Sequence, residues 1–329
     1  MKEKILSLLK ENTGTFVSGE ELSNMFSVSR TAVWKAINQL KSMGYEIESQ
    51  TKRGYRLIES PDYLSAAEID PLLTTSVIGK HIMYFDSLDS TNNYAKKLAG
   101  EDFEEGTVVI AEMQTAGRGR LGRSWISPRG KGIWMTIMLK PDINPLYAQR
   151  VTLVAACAVN DAIKEISGIA SGIKWPNDIV ANGKKLCGIL TEMGAEVDAI
   201  NYLIVGIGIN ANLDDDDIPA ELAGAATSIK IETGKSMVRK EVVAAILNRF
   251  EKYYTGFSRS GSLEDIVDIY KSNLLLLGKQ VRAVYKHEEI TGEAVDINDA
   301  GQLLLRLPDG TIREITSGEV SVRGIYGYA

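Results

Sequence analysis

The spacing of apolar residues in positions 1–62 predicts three short helices followed by a β-hairpin. Apolar residues recur at the helical interval in the first and third segments, at Ile5, Leu8 and Leu9 and at Val33, Ile37 and Leu40. Ser18 and Ser29 are the expected N-caps of the second and third helices. Residues 45–58 then alternate apolar and polar side chains on either side of a turn at Gly54, which is typical of a hairpin.

This order of elements, with a short turn before the third helix, predicts a winged helix-turn-helix domain over residues 1–62. Nine basic and seven acidic side chains give residues 1–60 a net charge of +2, whereas the whole chain carries −6. The third helix would meet base edges and the hairpin would form the wing. The candidate DNA-binding residues are Arg30, Thr31, Lys35, Lys52 and Arg53. A small helical domain that binds a protein, or that binds nothing, is the alternative.

Two further domains are predicted downstream. Residues 63–276 alternate strand-like and helix-like segments, so an α/β domain is expected there. Residues 277–329 hold short alternating segments separated by Gly and Asp-Gly turns, which predicts a small β-barrel. A proline-containing linker near Pro61 separates the first domain from the second.

Composition narrows the classes of protein to which the chain can belong. Of its 329 residues, 44% are hydrophobic and 24% are charged, as in ordinary globular proteins. Two cysteines and two histidines are too few for a disulfide framework or a zinc cage. The N-terminus has no signal-peptide pattern, and no apolar run is long enough to cross a bilayer. A cytoplasmic protein without membrane contact is therefore expected.

The glycine-rich stretch Thr115–Trp125 matches the dinucleotide pattern G-x-G-x-x-G but not its structural context. A dinucleotide turn needs a strand before it and a helix after it, whereas a second strand-like run follows here from Ile133 to Leu139. Three arginines lie among its glycines, at Arg118, Arg120 and Arg123. Guanidinium groups on a permissive backbone favour a phosphate or carboxylate ligand. A mobile surface loop without a ligand is the alternative.

Two other short motifs carry charges that suit the same chemistry. Lys174–Asp178 has the sequence KWPND, and Lys185–Leu190 has the sequence KLCGIL. Each alone is compatible with a packing corner or a surface charge. Together with the arginine loop, Lys185 would supply a further cation to a phosphate, and Asp178 would supply a hard oxygen to Mg²⁺. Such a combination neutralises the charge that develops in phosphoryl or adenylyl transfer.

Six segments in order along the chain carry a resemblance to a known family: Asp89–Asn92, Gln114–Trp125, Lys174–Asp178, Lys185–Leu190, Gly206–Asn212 and Gly318–Gly324. They resemble the motifs of the bifunctional biotin protein ligases that are also biotin-operon repressors. The resemblance covers nearly the whole chain. It implies a multidomain α/β (α+β) protein with an N-terminal winged helix-turn-helix, a class II synthetase-like ligase domain with a mixed sheet, and a C-terminal SH3-like β-barrel.

The resemblance implies two half-reactions and a regulatory role. Biotin and ATP, with Mg²⁺, would give biotinyl-5′-AMP and pyrophosphate. A lysine of a biotin carboxyl carrier protein domain would then accept the biotinyl group. With biotinyl-AMP bound, the protein would form a homodimer, bind an inverted-repeat operator and repress genes of biotin biosynthesis or transport. Biotin is a substrate in this scheme, and no tightly bound prosthetic group is expected.

The resemblance also implies roles for individual residues. The catalytic residues would be Lys185, Arg120 and Asp178, and Asp178 would also bind magnesium. Biotin would contact Ser90, Thr91, Asn92, Gln114, Gly117, Arg118, Arg120 and Lys185. The nucleotide would contact Arg118, Arg120, Arg123, Trp125, Asn177, Asn210, Asn212 and Arg323. Trp134 is a second candidate for stacking on the base.

Two other functions are compatible with parts of the pattern. A lipoate or octanoyl ligase would also hold an acyl chain, but it should lack the DNA-binding domain. A biotin-sensing repressor without catalysis could discard the charged side chains, yet Lys185, Asp178 and the three loop arginines are all present. Pyrophosphate–ATP exchange that depends on biotin would separate these alternatives.

Overall fold

The computed structural model describes residues 1–196, 198–285, 288–316 and 320–324, and it divides the chain into two units. Unit 1 is Met1–Tyr63 and unit 2 is Leu64–Ala329. Unit 1 contains three helices and one antiparallel pair of strands: α1 (Lys2–Glu11), α2 (Gly19–Met25), α3 (Arg30–Ser42), β1 (Glu46–Gln50) and β2 (Gly54–Glu59). This is the winged helix-turn-helix arrangement that the sequence predicts.

Local chemistry explains where the elements of unit 1 begin and turn. Ser18 accepts a hydrogen bond from Glu21 N at 3.0 Å, and Ser29 accepts one from Ala32 N at 3.2 Å, so both predicted N-caps are confirmed. Gly54 has a φ of +106°, and a Cβ there would lie 2.0 Å from the carbonyl oxygen of Val17. Only glycine therefore allows β2 to approach the turn before α2 this closely.

The core of unit 1 comes from the apolar faces of its helices. Its buried side chains include Ile5, Leu9, Leu22, Val33, Ile37 and Leu40. The opposite face of α3 is exposed, as are Lys52 and Arg53 at the tip of the β1–β2 hairpin. The amphipathic pattern of the sequence thus separates the face of α3 that stabilises the fold from the face that is free to contact a partner.

Unit 2 is built around a mixed seven-stranded sheet with the strand order β3-β4-β5-β9-β8-β7-β6. Its strands are β3 (Ile82–Phe85), β4 (Val108–Ala111), β5 (Ile133–Leu139), β6 (Ser171–Lys174), β7 (Asp178–Ala181), β8 (Lys184–Ala195) and β9 (Ile200–Ile209). The β3–β4 pair is parallel and the other pairs are antiparallel. The predicted mixed sheet is therefore confirmed.

Helices cover both faces of this sheet. They are α4 (Ala66–Ile69), α5 (Thr91–Leu98), α6 (Val151–Ser167), α7 (Ile229–Thr233), α8 (Arg239–Ser260) and α9 (Val267–Ser272). Alternate strand residues belong to different cores because successive side chains point to opposite faces. Val108, Ile137 and Val205 belong to the large core with α6 and α8, whereas Val109, Met138 and Ile204 belong to the core with α5.

The C-terminal part of unit 2 forms an antiparallel sheet with the strand order β13-β12-β11-β10-β14. Its strands are β10 (Gln280–Tyr285), β11 (Glu288–Ile297), β12 (Leu303–Arg306), β13 (Ile312–Ile315) and β14 (Val320–Gly324). The predicted β-rich C-terminal module is confirmed. Trp175 Nε1 donates to the carbonyl oxygen of Gly301 at 3.0 Å, which connects this module to the turn between β6 and β7. Among the described residues, no helix is both long and apolar enough to span a lipid bilayer.

Candidate active site

The glycine-rich stretch joins two antiparallel strands, as the sequence predicts, and so is not a dinucleotide-binding turn. β4 pairs with β5, with Val108 opposite Ile137. Within the loop, Gly119 N donates to the carbonyl oxygen of Arg123 at 2.7 Å, and Trp125 N donates to that of Gly117 at 2.9 Å. The loop therefore folds back on itself and presents its arginines from a small turn.

A buried ion pair anchors both ends of this loop to α8. Arg239 Nη1 lies 2.8 Å from Glu112 Oε2, just after β4, and donates to the carbonyl oxygen of Gly132, just before β5, at 3.1 Å. Tyr84 donates to the other oxygen of Glu112 at 3.0 Å. A buried charge pair is strongly destabilising to break, so the ends of the loop are fixed more firmly than its tip.

The loop closes one side of a cavity of ≈ 280 Å³ in unit 2. The predicted site residues that line it are Ser90, Thr91, Asn92, Gln114, Arg118, Arg120, Arg123, Trp125, Asn177, Asp178, Lys185 and Asn210. Residues from distant parts of the sequence thus meet around one space, although their individual roles stay predictions. Its volume lies near the lower end of the range for small-molecule sites, and it combines apolar walls with a few polar groups as such sites do.

Glycines on two neighbouring strands make room for the side chains at the cavity. A Cβ on Gly206 would lie 2.2 Å from Asn92 Oδ1, and a Cβ on Gly208 would lie 2.6 Å from Trp125 Nε1. On β8, a Cβ on Gly188 would lie 3.0 Å from the Trp125 ring. The indole of Trp125 therefore rests against the backbone of β8 and β9. This packing explains the glycine alternation in the GIGIN segment.

The KWPND segment turns so that its aspartate meets the lysine of the next strand. Lys174 at the end of β6 pairs with Asp178 at the start of β7, across the turn that contains the cis Trp175–Pro176 bond. Lys185 Nζ lies 2.7 Å from Asp178 Oδ1 and 5.2 Å from the centre of the Trp125 ring. A cation, a carboxylate and an aromatic face thus share one corner of the cavity.

Arg120 faces the same corner. Its Nη1 donates to Asn177 Oδ1 at 2.9 Å, and the Asn177 amide nitrogen donates to the carbonyl oxygen of Ile189 at 2.9 Å. Burial lowers the pKa of Arg120, while the charge of Asp178 opposes that shift. The guanidinium remains a cation at physiological pH because its ordinary pKa is so high. Asn177 holds this cation in place with both ends of its amide engaged.

A network of uncharged hydrogen-bonding groups lines the other end of the cavity. The backbone N–H of Thr91 donates to Gln114 Oε1 at 2.9 Å, and Gln114 Nε2 donates to Ser127 Oγ at 2.9 Å. Thr136 donates to Asn92 Oδ1 at 2.6 Å. These bonds fix the amide orientations of Gln114 and Asn92, and such preorganised groups favour a neutral polar ligand.

Asn92 is in turn held from behind by a charged pair. Its Nδ2 donates to Glu192 Oε2 at 2.8 Å, and Glu192 also forms an ion pair with Lys96 of α5. Both ends of the Asn92 amide are engaged with protein groups, and the residue is 5% exposed. The position of Asn92 is therefore compatible with two roles: it can orient neighbouring side chains, and it can contact a ligand.

Two predicted site residues, Gly117 and Asn212, do not line the cavity, and a third cannot be placed. Gly117 packs behind the loop, where a Cβ would lie 2.4 Å from the carbonyl oxygen of Trp125. The side-chain amide of Asn212 forms two hydrogen bonds with the backbone of Met237. Its Nδ2 donates to the carbonyl oxygen of Met237 at 2.9 Å, and its Oδ1 accepts from the N–H of Met237 at 2.7 Å. The side chain of Arg323 lies outside the described part of the structure. Trp134 is fully buried beside Leu213 and Ile218, so it is a core residue and Trp125 is the tryptophan at the cavity.

The structure adds cavity residues to which the sequence assigned no role. Lys174 is 5% exposed and lines the cavity, as do Leu213 and Ile218 on either side of an aspartate run. Lys131 and Lys230 both pair with Asp214 in that run, and their hydrogen bonds lower the pKa of Asp214 to about 2. In the sequence, the indication that this segment folds against a cavity was the pair of apolar residues, Leu213 and Ile218, on either side of the aspartate run.

Asp178 is the candidate magnesium ligand, and its setting fits a weakly held ion. In the described part of the chain, no three metal-binding side chains of the His, Cys, Asp or Glu type cluster together. Mg²⁺ commonly binds through one or two carboxylates together with substrate phosphates and water. A single carboxylate on the cavity wall, beside Lys185 and close to Arg120, is compatible with an ion that arrives with a phosphate ligand.

The five predicted DNA-binding residues are all exposed on unit 1. Arg30, Thr31 and Lys35 are exposed on α3, and Lys52 and Arg53 are exposed on the hairpin. Arg30 Nη2 lies 2.7 Å from Glu20 of α2, so this arginine would exchange a carboxylate for a phosphate on binding DNA. An exposed ion pair of this kind is weak, so breaking it to bind a phosphate costs little free energy.

Comparison with known proteins defines the class to which this fold and cavity belong. Residues 84–210 match the model of the biotin/lipoate A/B protein ligase family, residues 2–56 match an HTH domain, and residues 276–323 match the biotin protein ligase C terminal domain. A solved structure of the biotin protein ligase from Aquifex aeolicus in complex with biotin and ATP is similar, with a TM-score of 0.65 and 35% identity. It covers 74% of this chain and 99% of its own.

Relatives extend the similarity over the whole length. The bifunctional ligase/repressor BirA of Bacillus subtilis (strain 168) is 42% identical over 322 residues, which is 98% of each chain. The bifunctional ligase/repressor BirA of Escherichia coli (strain K12) is 29% identical over 320 residues, 97% of this chain and 96% of its own. The present chain belongs to the family of bifunctional biotin protein ligases and repressors.

Proposed function

We propose that this chain is a biotin–[acetyl-CoA-carboxylase] ligase that activates biotin with ATP and transfers it to a carrier protein. A carboxylate oxygen of biotin attacks the α-phosphorus of ATP, which forms the acyl-phosphate bond of biotinyl-5′-AMP and releases pyrophosphate. The amine of an acceptor lysine then attacks the acyl carbon and releases AMP. The observation that carries the proposal is the single cavity with neutral hydrogen-bonding groups at one end and Arg120, Lys185 and Asp178 at the other.

The neutral end of the cavity suits the ureido ring of biotin. That ring is small, uncharged and rich in donors and acceptors, so it needs partners whose orientation is fixed in advance. Thr91 and Gln114 are hydrogen-bonded to each other, and Ser90 also lines the cavity. Asn92 completes this proposed set, and Gly117 supports it from behind the loop.

The charged end suits the reacting groups. Arg118, Arg120 and Lys185 would hold the biotin carboxylate and the α-phosphate, two anions that repel each other unless cations lie between them. Lys185 would touch both, which links activation to correct positioning. Asp178 would hold the magnesium ion that accompanies ATP, and that ion would supply neutralisation of phosphate charge. Asp178 could also orient the attacking lysine in the second half-reaction.

The remaining predicted residues are proposed for the nucleotide. Arg123, Trp125, Asn177 and Asn210 line the cavity and would contact the ribose, base or phosphates of ATP. Asn212 and Arg323 belong to the same proposal on the strength of the family motifs alone. The domain limits that we propose for this activity are 63–276 for the ligase and 277–329 for an SH3-like barrel, with 1–62 for DNA binding.

We further propose that biotinyl-AMP promotes a homodimer that binds an inverted-repeat operator in DNA. One winged helix makes few contacts, and a two-fold dimer doubles them and matches the symmetry of such a site. The exposed basic side chains of unit 1 support contact with a polyanion. The glycine-rich loop would be ordered by the adenylate, and dimers would form through an exposed edge of the central sheet.

The test of the ligase proposal is exchange of radiolabelled pyrophosphate into ATP. We expect exchange that depends on biotin and that neither lipoate nor octanoate can support. Exchange supported by lipoate or octanoate would favour a different acyl ligase. No exchange with any of the three acids, from protein that binds biotin, would favour a sensor without catalysis.

A further inference from the structure

The largest apolar side chain on α3 points away from the core of unit 1. Trp34 is 56% exposed. The buried residues of α3 are Val33, Ala36, Ile37 and Leu40. Thr31 and Asn38 lie three residues before and four residues after Trp34, so helical geometry places all three on the same outward face.

The fold does not account for this tryptophan. A fully buried tryptophan is a major contributor to a small core, and an indole that is more than half exposed forgoes most of that stabilisation. A large exposed apolar group on a functional face is typical of a contact with a partner. The partner must also suit the charges nearby, because Arg30 and Lys35 flank Trp34 on α3, and Lys52 and Arg53 are exposed on the hairpin.

Duplex DNA is the occupant that meets both conditions. Its phosphates match the four cations, and its major groove is wide enough to admit α3. The edge of each base pair in that groove is made of hydrogen-bonding groups, with one exception. The C5-methyl of thymine is apolar, and it is the group against which an apolar side chain can pack.

We propose that Trp34 determines sequence specificity by packing its indole on a thymine methyl in the major groove. The inference rests on the proposed DNA binding and names the base that one residue of α3 reads. Arg30 and Lys35 would position the helix on phosphates without selecting a sequence. Trp34 would select one.

The test uses the full-length protein with biotin and ATP, and a duplex library with a random central region as the probe. After selection, each thymine of one half-site in the enriched duplex is replaced in turn by deoxyuridine, which lacks the methyl. Affinities are then measured for the unchanged protein and for the Trp34→Ala, Trp34→Phe and Lys35→Ala variants. Biotin-dependent pyrophosphate exchange confirms that each variant is folded in unit 2, and circular dichroism does so for unit 1.

At one thymine of the half-site, the effect of removing the methyl group should depend on which residue stands at position 34. There, loss of the methyl should weaken the unchanged protein and Trp34→Phe about fourfold, the ratio expected for one buried methyl group. Trp34→Ala should bind the thymine duplex more weakly and show no further loss with deoxyuridine at that position. Lys35→Ala should lose affinity for all sequences alike and keep the methyl effect.

Two results would overturn the inference while leaving DNA binding intact. One is an equal deoxyuridine penalty in Trp34→Ala and the unchanged protein at every thymine. The other is a uniform loss in both Trp34→Ala and Trp34→Phe, which would assign the indole N–H to a phosphate. If the library yields no enriched sequence, the proposed DNA binding fails and the inference fails with it.

Discussion

Lys185 Nζ lies 2.7 Å from Asp178 Oδ1 at the wall of the cavity, with the two side chains 25% and 13% exposed. The pair arises from the register of β7 and β8, which sets Asp178 opposite Gly188 and Val180 opposite Lys185. An anionic ligand must compete with Asp178 for the lysine. The ammonium group is thus held at the cavity before any ligand arrives, and a bound phosphate or carboxylate would share it.

Lys185→Ala should reduce biotin-dependent pyrophosphate exchange by roughly 10²–10³-fold, the range found when one group that stabilises transition-state charge is removed. The fold should persist because Lys185 lies at the cavity wall, 25% exposed, and not among the buried residues of the apolar core. Lys184→Ala is the matched control, since Lys184 is the neighbouring residue on the β7–β8 hairpin and does not line the cavity. Near-normal exchange by Lys185→Ala would remove this lysine from the proposed chemistry.

Arg120→Gly should release the adenylate instead of simply stopping its synthesis. The guanidinium is held by Asn177 at 2.9 Å and lines the charged end of the cavity, where the anhydride is proposed to lie. Escaped biotinyl-AMP acylates lysines without selectivity, so mass spectrometry of a bystander protein should find scattered biotinylation. Arg129→Ala is the control, because Arg129 follows the same loop but is exposed and paired with Asp86. An active Arg120→Gly enzyme beside an unmodified bystander would count against a caging role.

Glu192→Ala should raise the KM for biotin more than it lowers kcat. Glu192 accepts a hydrogen bond from Asn92 Nδ2 at 2.8 Å, and without it that nitrogen keeps a longer, weaker bond of 3.4 Å to the carbonyl oxygen of Leu190. The amide is then held less firmly against Thr136. An unsatisfied buried group costs about 1–3 kcal/mol, so an increase in KM of roughly fivefold or more is expected.

Lys96→Ala provides the comparison for this prediction. It removes the partly exposed ion pair with Glu192 but leaves the bond between Glu192 and Asn92 in place. Such pairs contribute about 0–1 kcal/mol, so the KM for biotin should change little. Equal KM values in Glu192→Ala and the unchanged protein would show that Asn92 needs no support from behind.

Neither cysteine should react with a thiol reagent in the folded protein. Cys157 and Cys187 are both buried, and burial raises the pKa of each thiol well above its usual range. The reactive thiolate is therefore scarce at pH 8. Ellman's reagent should detect both thiols only after denaturation in guanidinium. Rapid labelling of the native protein, or loss of exchange activity on alkylation, would contradict the inert role that Cys187 has beside the cavity.

The local order of apolar, polar and turn residues in the sequence predicted the parts of the site that are formed by residues close together along the chain. The turn at Asn182 and Gly183, both with positive φ, fixes the hairpin that brings Lys185 to Asp178. The strand–loop–strand context of the arginine loop likewise followed from periodicity. The sequence could not distinguish Trp125 from Trp134, because burial of Trp134 depends on packing against Leu213 and Ile218 after the chain has folded.

Contacts between residues that are far apart in the sequence could not be predicted from the sequence pattern. Glu112 and Arg239 are far apart in sequence, and nothing in either segment indicates that the two charges meet in the core. Asn212 belongs to a family motif, yet in the structure its amide is engaged by Met237. Such contacts arise from how separate elements pack, so they become visible only in the three-dimensional arrangement.

The most direct test of a ligase whose product controls DNA binding is a titration of the enriched inverted-repeat duplex at fixed salt, with and without biotin and ATP. Fixed salt matters because phosphate contacts make the affinity salt-dependent. We expect the adenylate to tighten binding roughly 5- to 150-fold, as for a coupling of about 1–3 kcal/mol. Sedimentation should report a parallel shift from monomer towards dimer. If DNA affinity and oligomeric state are both unchanged by biotin and ATP, the two activities are independent and the regulatory account is wrong.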